Sequence, residues 1–296
     1  GARGIGLCRT EHMFFAEERL PIVQAMILAE PNSDEEADYL EQLLPYQQDD
    51  FYGIFKAMEG LPVIIRLIDP PLHEFMPDHE NLALRAAGLQ IMGDRPNELT
   101  RIQELMAAVE SLREFNPMLG FRGVRLGVLR PQINAMQIRA IFTAACQLTA
   151  EKIKVYPEIM IPVTSVNTEV EFIKALIDDI ARDVMEEMGD SVEYKVGTMI
   201  ELPRAAITAD KIAESAEFFS FGTNDLTQTT FGISRDDAEG KFLLDYVERG
   251  ILQENPFQVL DREGVGYLVK VGVEKGRSTR PDLEVGICGE HGGEQN

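Results

Sequence analysis

The stretch KVGTMIELPRAAITADKIAESAEFFSFGTNDLTQ (195–228) contains two short apolar runs that decide the fold class. The runs Lys195–Ile200 and Phe218–Phe221 have the length and flanks of buried parallel strands. The first run stops at Glu201, and the second stops at Gly222-Thr223-Asn224-Asp225. In α/β barrels the C-terminal ends of the strands share one face, and that face holds the active site. This stretch therefore predicts a site that is built from strand ends.

Five further apolar runs of the same kind lie on either side of this stretch. They are Gly4–Cys8, Val63–Ile65, Leu119–Val124, Glu158–Val163 and Leu283–Ile287. Amphipathic helical patterns lie between the runs, and the clearest are Glu35–Ala57, Glu98–Phe115, Asn134–Leu148 and Thr168–Met188. We expect Pro45 to break or kink the first of these helices. The link over 72–95 is rich in helix breakers, and the stretch over 234–280 is mostly polar with room for short helices.

Strands that alternate with helices favour a closed barrel over an open sheet. We expect an α/β fold of the (β/α)₈ TIM-barrel type that forms one domain over residues 1–296. Only eight residues follow Cys288, which are too few for a helix and an eighth strand. We therefore expect a barrel that is truncated before its last strand and helix.

Composition restricts the classes of partner. The chain has 296 residues, of which 50 are acidic and 28 basic, for a net charge of −22. A surface this acidic repels nucleic-acid phosphates and anionic membranes, so we expect neither as a partner. No apolar run approaches the roughly 18 residues of a membrane helix. The three cysteines are far apart in sequence, which is typical of a reducing cytosol rather than of a disulfide framework.

The residues at the strand ends have a consistent chemistry. The arginines are Arg9, Arg66 and Arg122, the carboxylates are Glu201 and Asp225, and the thiol is Cys288. Arginines can clamp phosphate or carboxylate oxygens, and two carboxylates can hold a Mg²⁺ that takes its other ligands from water and substrate. A thiol can give or take a proton. Cations and a metal around a small anion suit phosphoryl transfer or enolate stabilisation.

Each of these residues also has a purely structural interpretation. A strand-end arginine often pairs with a neighbouring acid, and Asn224-Asp225 is a common turn and helix cap. Glu201 is also compatible with a solvated loop position. The argument for a site rests on the convergence of all these residues at one face.

Six stretches resemble the phosphoenolpyruvate-utilising enzymes, and within them the pyruvate, phosphate dikinase family. They are GIGLCRTEHMFF (4–15), VIIRLIDPPLHEF (63–75), GFRGVRLG (120–127), GTMIELPRAA (197–206), FFSFGTNDLTQ (218–228) and GICGEHGGE (286–294). The resemblance covers essentially the whole chain. It implies a (β/α)₈ barrel that exchanges a phosphoryl group between a phosphohistidine and pyruvate, in a cytoplasmic or plastid homodimer.

The resemblance also implies roles for individual residues. Substrate binding falls to Arg9, Arg66, Arg122, Gly222, Thr223, Asn224 and Asp225; Mg²⁺ binding falls to Glu201 and Asp225; proton transfer falls to Cys288. Asp69 matches a family position near the site. The ATP-grasp domain and the phosphohistidine domain of the family are absent from this sequence, so they are expected partners on the longer enzyme.

Two other functions remain open at this point. The first is a Mg²⁺-dependent lyase or aldolase that forms a pyruvate enolate, because such barrels use a similar set of glutamate, aspartate and arginine. The second is an inactive fragment that only dimerises. A phosphohistidine partner distinguishes the dikinase from the lyase, and substrate binding distinguishes both from the inactive fragment.

Overall fold

The computed structural model describes residues 3–293 and contains one parallel sheet of six strands. The strands are β1 (Ile5–Arg9), β2 (Pro62–Arg66), β3 (Tyr156–Ile161), β4 (Lys195–Ile200), β5 (Phe218–Gly222) and β6 (Glu284–Cys288). They lie side by side in chain order. Cα atoms of β1 and β6 approach within 8 Å, so the sheet curls into a half-barrel. This arrangement is consistent with a truncated TIM barrel.

Within the same residues, thirteen helices connect and cover the strands. They are α1 (Leu20–Leu28), α2 (Asp34–Ala57), α3 (His79–Met92), α4 (Pro96–Leu112), α5 (Val124–Leu129), α6 (Pro131–Ala150), α7 (Asn167–Met188), α8 (Pro203–Ile207), α9 (Ala209–Ile212), α10 (Thr223–Phe231), α11 (Arg235–Lys241), α12 (Leu243–Glu248) and α13 (Val265–Thr279). Short 3₁₀ turns are Thr10–Phe14, Leu72–Phe75, Pro117–Leu119 and Glu290–Gly293. Over residues 3–293, none of the helices is both long and apolar enough to cross a bilayer.

Side chains on each strand alternate between the covering helices and the inside of the half-barrel. Outward residues such as Ile65, Ile159 and Phe219 join α2, α6 and α7 in the main core. Inward residues, one from each strand, form a separate layer that we call the apolar floor. It consists of Leu7, Ile64, Met160, Met199, Phe218 and Cys288. The two faces of the sheet therefore belong to two distinct packing layers.

The predicted strand Leu119–Val124 is wrong. This segment contains a 3₁₀ turn at Pro117–Leu119 and leads into α5, while β2 pairs directly with β3. Gly123 has a φ of +56° and donates its N–H to the Asp69 carbonyl at 2.9 Å. Val124 donates to the Pro162 carbonyl at 3.1 Å. The segment therefore caps the ends of two strands instead of forming a ladder between them.

Of the break or kink expected at Pro45, the break is wrong, because α2 runs continuously from Asp34 to Ala57. The Ser33 hydroxyl accepts a hydrogen bond from the Glu36 N–H and so starts the helix. A buried stripe that includes Leu43, Phe51 and Phe55 then holds both halves against the core. Pro45 itself lies on the exposed side, where water can satisfy the carbonyl that loses its partner.

The breaker-rich link and the mostly polar stretch both contain helices. The short helices expected over 234–280 are present as α11 and α12, and this stretch also holds a longer helix. The link over 72–95 includes α3, which Asp78 caps by accepting from the Asn81 N–H and which Gly93 ends with a φ of +71°. The polar stretch over 234–280 includes the 15-residue α13. Of the C-terminal motif GICGEHGGE, the last residue, Glu294, lies outside the described residues.

A buried ion pair joins three helices. The Arg130 Nε donates to the Glu36 Oε1 at 2.7 Å, and Glu36 is fully buried. The Arg130 Nη2 also donates to the Met26 carbonyl at 3.1 Å, at the end of α1. These contacts place α1, the first turn of α2 and the start of α6 in one hydrogen-bonded unit.

Replacing Arg130 with alanine should lower the free energy of unfolding by about 3–5 kcal/mol, because the Glu36 carboxylate would remain buried without its partner. Arg139→Ala is the matched control, since Arg139 lies on α6 but pairs with Glu187 at the surface. Its loss should cost less than about 1 kcal/mol. Urea titrations followed by circular dichroism measure both values. Equal changes in the free energy of unfolding for the two variants would show that the buried pair stabilises the fold no more than the surface pair does.

Candidate functional site

A cleft of about 580 Å³ opens where the strands end. Seven of the nine residues predicted for the site line it, namely Arg9, Arg66, Glu201, Gly222, Asn224, Asp225 and Cys288. Arg122 and Thr223 contact residues of this lining, since Arg122 donates to Asp69 and Thr223 lies 3.3 Å from the Cys288 carbonyl. The structure thus brings all nine residues together, although they are scattered over 280 positions of sequence.

The period of the strands explains why these side chains face the cleft. Arg9, Arg66 and Glu201 each come two residues after an inward residue of the apolar floor. Two residues are one strand period, so each polar side chain points the same way as the floor residue before it. The floor closes the cleft from below, and the polar residues form its walls.

Arg122 reaches the site although its predicted strand is absent. Glycines on both sides of it, at 120 and 123, allow the backbone to turn tightly. A Cβ at Gly123 would lie 2.7 Å from the Val163 Cγ2, so only glycine fits there. The backbone bonds of Gly123 and Val124 to the ends of β2 and β3 then direct the Arg122 side chain toward Asp69.

Alternating charges form a chain through the site. Arg66 contacts Glu11 on one side and the Asp69 Oδ2 at 2.8 Å on the other. Arg122 donates to the same Asp69 oxygen at 2.6 Å and lies 3.9 Å from the Asp225 Oδ2. Burial alone would lower the pKa of both guanidinium groups, but the adjacent carboxylates raise it overall, so both arginines are cations.

Glu201 is 2% exposed and faces the other carboxylates. Its Oε1 accepts from the Val163 N–H at 2.6 Å. Burial, and then the charges of Asp225 and Asp69, raise the pKa of the Glu201 carboxyl well above its usual range, which Arg66 offsets only in part. A cation next to this carboxylate would favour its charged form and so oppose both the effect of burial and the repulsion from Asp225 and Asp69.

Gly222 lets helix α10 begin directly against Glu201. A Cβ at this position would lie 2.4 Å from the Glu201 Oε2, so no larger residue fits without moving the carboxylate. Thr223, Asn224 and Asp225 form the first turn of α10. The free N–H groups of a helix N-terminus favour an anion at this position.

Cys288 ends β6 opposite Gly222 and is 7% exposed. Its Sγ lies 3.5 Å from the Phe221 carbonyl, which can accept a hydrogen bond from the thiol. Burial raises the pKa of the Cys288 thiol, and the site therefore favours the protonated form. The group is suited to donate a proton to a reacting carbon in the cleft.

Sequence reasoning missed several charged residues of the site, among them Glu11 and Arg235, and Asp236 and Glu239 also line the cleft. Glu11 pairs with Arg66 from the 3₁₀ turn after β1. Arg235 lies at the mouth of the cleft, where its Nη1 donates to the Asn224 Oδ1 at 3.3 Å and its guanidinium lies over the Phe257 ring. The motif CRTEH carried a signal for Glu11, since it follows Arg9 by two residues. Arg235 does not follow a strand, so the strand-end pattern could not identify it.

The carboxylates fit a divalent cation. The charge chain and Glu201 together contain four acids (Glu11, Asp69, Glu201 and Asp225) and two arginines (Arg66 and Arg122), a net charge of −2 if all are ionised. Over the residues that the structure describes, no three His, Cys, Asp or Glu side chains are grouped tightly enough to enclose a metal. A Mg²⁺ that keeps several waters needs only one or two carboxylates, so Glu201 and Asp225 meet its requirement.

Comparison with known proteins defines the class. The chain matches the family model described as "PEP-utilising enzyme, PEP-binding domain" over residues 1–296. It belongs to this family. The fold and the cleft described above agree with that membership.

Three similar relatives carry the name of one enzyme, pyruvate, phosphate dikinase. The chain is 56% identical over 296 residues to "Pyruvate, phosphate dikinase, chloroplastic" of Mesembryanthemum crystallinum, covering 99% of this chain and 30% of that protein. It is 55% identical to "Pyruvate, phosphate dikinase 2" of Zea mays (99% and 32%) and to "Pyruvate, phosphate dikinase" of Giardia intestinalis (98% and 32%). The chain thus spans about a third of the length of these relatives. None of these names favours a lyase or an aldolase.

Replacing Glu201 with glutamine should change how stability depends on pH in the metal-free protein. Folding raises the pKa of Glu201, so the folded state holds its proton more tightly than the unfolded state does. The glutamate therefore costs stability as pH rises from its ordinary pKa of 4.5 toward the raised value. Glutamine does not ionise, so the stability of Glu201→Gln relative to wild type should increase with pH in this window.

Urea unfolding with a chelator at several pH values between 5 and 8 tests this expectation. Glu59→Gln, at an exposed position, controls for the loss of one carboxylate from an acidic protein. Parallel stability curves for wild type and Glu201→Gln would contradict it.

Proposed function

We propose that this chain is the phosphoenolpyruvate- and pyruvate-binding domain of a pyruvate, phosphate dikinase. In this proposal it carries the half-reaction that moves a phosphoryl group between a phosphohistidine and pyruvate. The gathering of Arg9, Arg66, Glu201, Asp225 and Cys288 in one cleft carries the proposal. The names of relatives at 54–56% identity support the choice of dikinase within the family.

The arginines and the start of α10 bind the substrate. Arg9, Arg66 and Arg122 hold the phosphoryl and enol oxygens by charge-assisted hydrogen bonds. The Asn224 Oδ1 accepts from Arg235 and its Nδ2 donates to the Asp225 Oδ1 at 3.1 Å, so the orientation of the amide is fixed. Its remaining N–H can donate to the substrate carboxylate, while Gly222 and Thr223 contribute backbone groups. Positioning and charge neutralisation are the main requirements of phosphoryl transfer.

Glu201 and Asp225 would hold a Mg²⁺, which supplies charge neutralisation at the substrate oxygens. Support comes from the raised pKa of Glu201 and from the excess of carboxylates over arginines around it. Asp69 binds both arginines, so its role is to hold them in position rather than to ligate the metal.

Cys288 moves the proton. When phosphoenolpyruvate is the donor, its P–O bond breaks, the phosphoryl group passes to the histidine nitrogen, and an enolate remains. The Cys288 Sγ–H then protonates the methylene carbon of the enolate, which gives pyruvate and a thiolate. In the opposite direction the thiolate removes a methyl proton, and the enolate oxygen takes the phosphoryl group.

The proposal extends to the rest of the enzyme. We propose that residues 1–296 form one domain of the (β/α)₈-barrel type, to which the six strands belong. The histidine that carries the phosphoryl group, and the ATP-grasp domain that loads it, are on parts of the enzyme outside this chain. The resemblance further implies a homodimer in the cytoplasm, or in a plastid for a plant protein.

Titration calorimetry should detect binding of phosphoenolpyruvate to this chain only when Mg²⁺ is present. Arg9→Ala should weaken that binding at least tenfold, because charge-assisted hydrogen bonds to the substrate contribute about 1.5–3 kcal/mol. Arg9 is exposed at the end of β1, so its loss should not disturb the fold. Arg3→Ala is the matched control, since Arg3 is an exposed arginine just before the other end of β1.

Three outcomes would count against the dikinase. Absence of binding under all conditions favours an inactive fragment, and equal effects of the two arginine variants indicate unspecific attraction of an anion. Cleavage of a C–C bond in a 2-oxo acid favours a lyase.

Cys288→Ala should abolish the exchange of pyruvate methyl protons with solvent deuterium while leaving Mg²⁺-dependent phosphoenolpyruvate binding within about threefold of wild type. The variant removes the proton carrier but none of the charged groups that hold the substrate. Proton NMR in D₂O measures the exchange rate. Cys146→Ala, in the core of α6, controls for loss of a buried thiol. Unchanged exchange in Cys288→Ala would remove this residue from the mechanism.

A further inference from the structure

His291 is a buried titratable side chain for which the proposed mechanism has no role. It is 7% exposed and lies in the 3₁₀ turn that follows Cys288. Its Nδ1 is 2.8 Å from the Thr223 Oγ1, at the start of α10. Its Nε2 is 3.2 Å from the Pro256 carbonyl, in the segment after α12. One ring therefore links the turn after the catalytic cysteine to two other parts of the chain.

The partners of the ring determine where its proton lies. A carbonyl oxygen only accepts, so the Nε2 that faces Pro256 must carry hydrogen. In the neutral ring the Nδ1 is then an acceptor, and it accepts a hydrogen bond from the Thr223 hydroxyl. The same Thr223 oxygen lies 3.3 Å from the Cys288 carbonyl. The hydroxyl has one proton, so while it bonds the ring it does not also donate to the Cys288 carbonyl, and the bond between His291 and Thr223 is what ties the turn after Cys288 to α10.

The turn after Cys288 packs against Thr223. Strand β6 ends at Cys288, which pairs with Gly222 of β5, directly before Thr223. The chain then turns at Gly289, which has a φ of +98°. A Cβ at Gly289 would lie 3.2 Å from the Thr223 Oγ1, so the turn packs directly on the hydroxyl that His291 engages. The pairing with β5, the contact of the Cys288 Sγ with the Phe221 carbonyl and the contact of the turn with Thr223 together position the end of β6.

We propose that His291 is a positioning residue for proton transfer, which acts through Thr223 to hold the Cys288 thiol over the reacting carbon of the substrate. This inference rests on the proposed function, because it assumes that Cys288 is the proton carrier. His291 itself does not touch the reacting atoms. Its loss should slow proton transfer and leave substrate binding intact, because the ion pairs that position the arginines of the site do not involve His291.

Two conservative variants separate the contacts of the ring. His291→Asn places an amide near the position of Nδ1, where its oxygen can accept from Thr223. His291→Gln places its amide nearer to Nε2, where its N–H can donate to Pro256. Both should be made in the intact protein, together with His291→Ala. Pyruvate methyl-proton exchange in D₂O, the phosphoenolpyruvate affinity with Mg²⁺ and the melting temperature are measured for each.

We expect His291→Ala and His291→Gln to slow exchange about 10- to 100-fold, as misplacement of a reacting group by about 1 Å does. Phosphoenolpyruvate affinity should stay within about twofold, and His291→Asn should keep an exchange rate within about threefold of wild type. Thr223→Val should add no further loss to His291→Ala, because the two residues act as one unit.

Other outcomes overturn the inference. Equal losses in all three His291 variants, or losses that follow the melting temperature, would show that His291 only supports the fold. Exchange at the wild-type rate in His291→Ala, with Cys288→Ala inactive, would reject the role of His291 and keep the proposed function. Absence of exchange in the wild-type protein would reject both.

Discussion

The site depends on the ion pairs that the Asp69 carboxylate makes with two arginines. The carboxylate accepts from Arg66 and Arg122, which come from different segments of the chain and would otherwise repel each other. Burial of two guanidinium groups is costly unless an anion lies between them. Because Asp69 also accepts the Gly123 N–H at its backbone carbonyl, the same residue fixes the segment that carries Arg122. The cationic wall of the cleft is therefore set before any substrate arrives.

Much of the fold could be predicted from the sequence, because strand residues in a parallel sheet are apolar on both faces. The run Lys195–Ile200 matches β4 at both ends, and five other runs match strands to within two residues. Leu119–Val124 was predicted as a strand because it is apolar. It carries two glycines, however, and makes one backbone hydrogen bond to the segment after β2 and one to the segment after β3 instead of a ladder. Pro45 was given too much weight, since tertiary packing along α2 outweighs the lost hydrogen bond.

The site could be predicted only where its residues follow strands. Strand period links Arg66 and Glu201 to the barrel axis, so their convergence follows from the fold class. Arg235 is the first residue of α11, and no strand-end pattern encodes the placement of this short helix at the mouth of the cleft. The net charge of the chain gave no indication of the local field, because an acidic surface surrounds a cleft with several arginines.

The alternation of side chains along the strands divides this protein into two sets of positions that can change separately. Residues at outward positions pack against the helices, and residues at inward positions form the floor and walls of the cleft. An inward residue can therefore be exchanged during evolution without disturbing the helical shell. Two of the six floor residues, Met160 and Met199, are unbranched and adaptable, so the depth of the cleft can adjust to a neighbour of different size. A scaffold of this kind can acquire new substrates while its folding determinants stay constant.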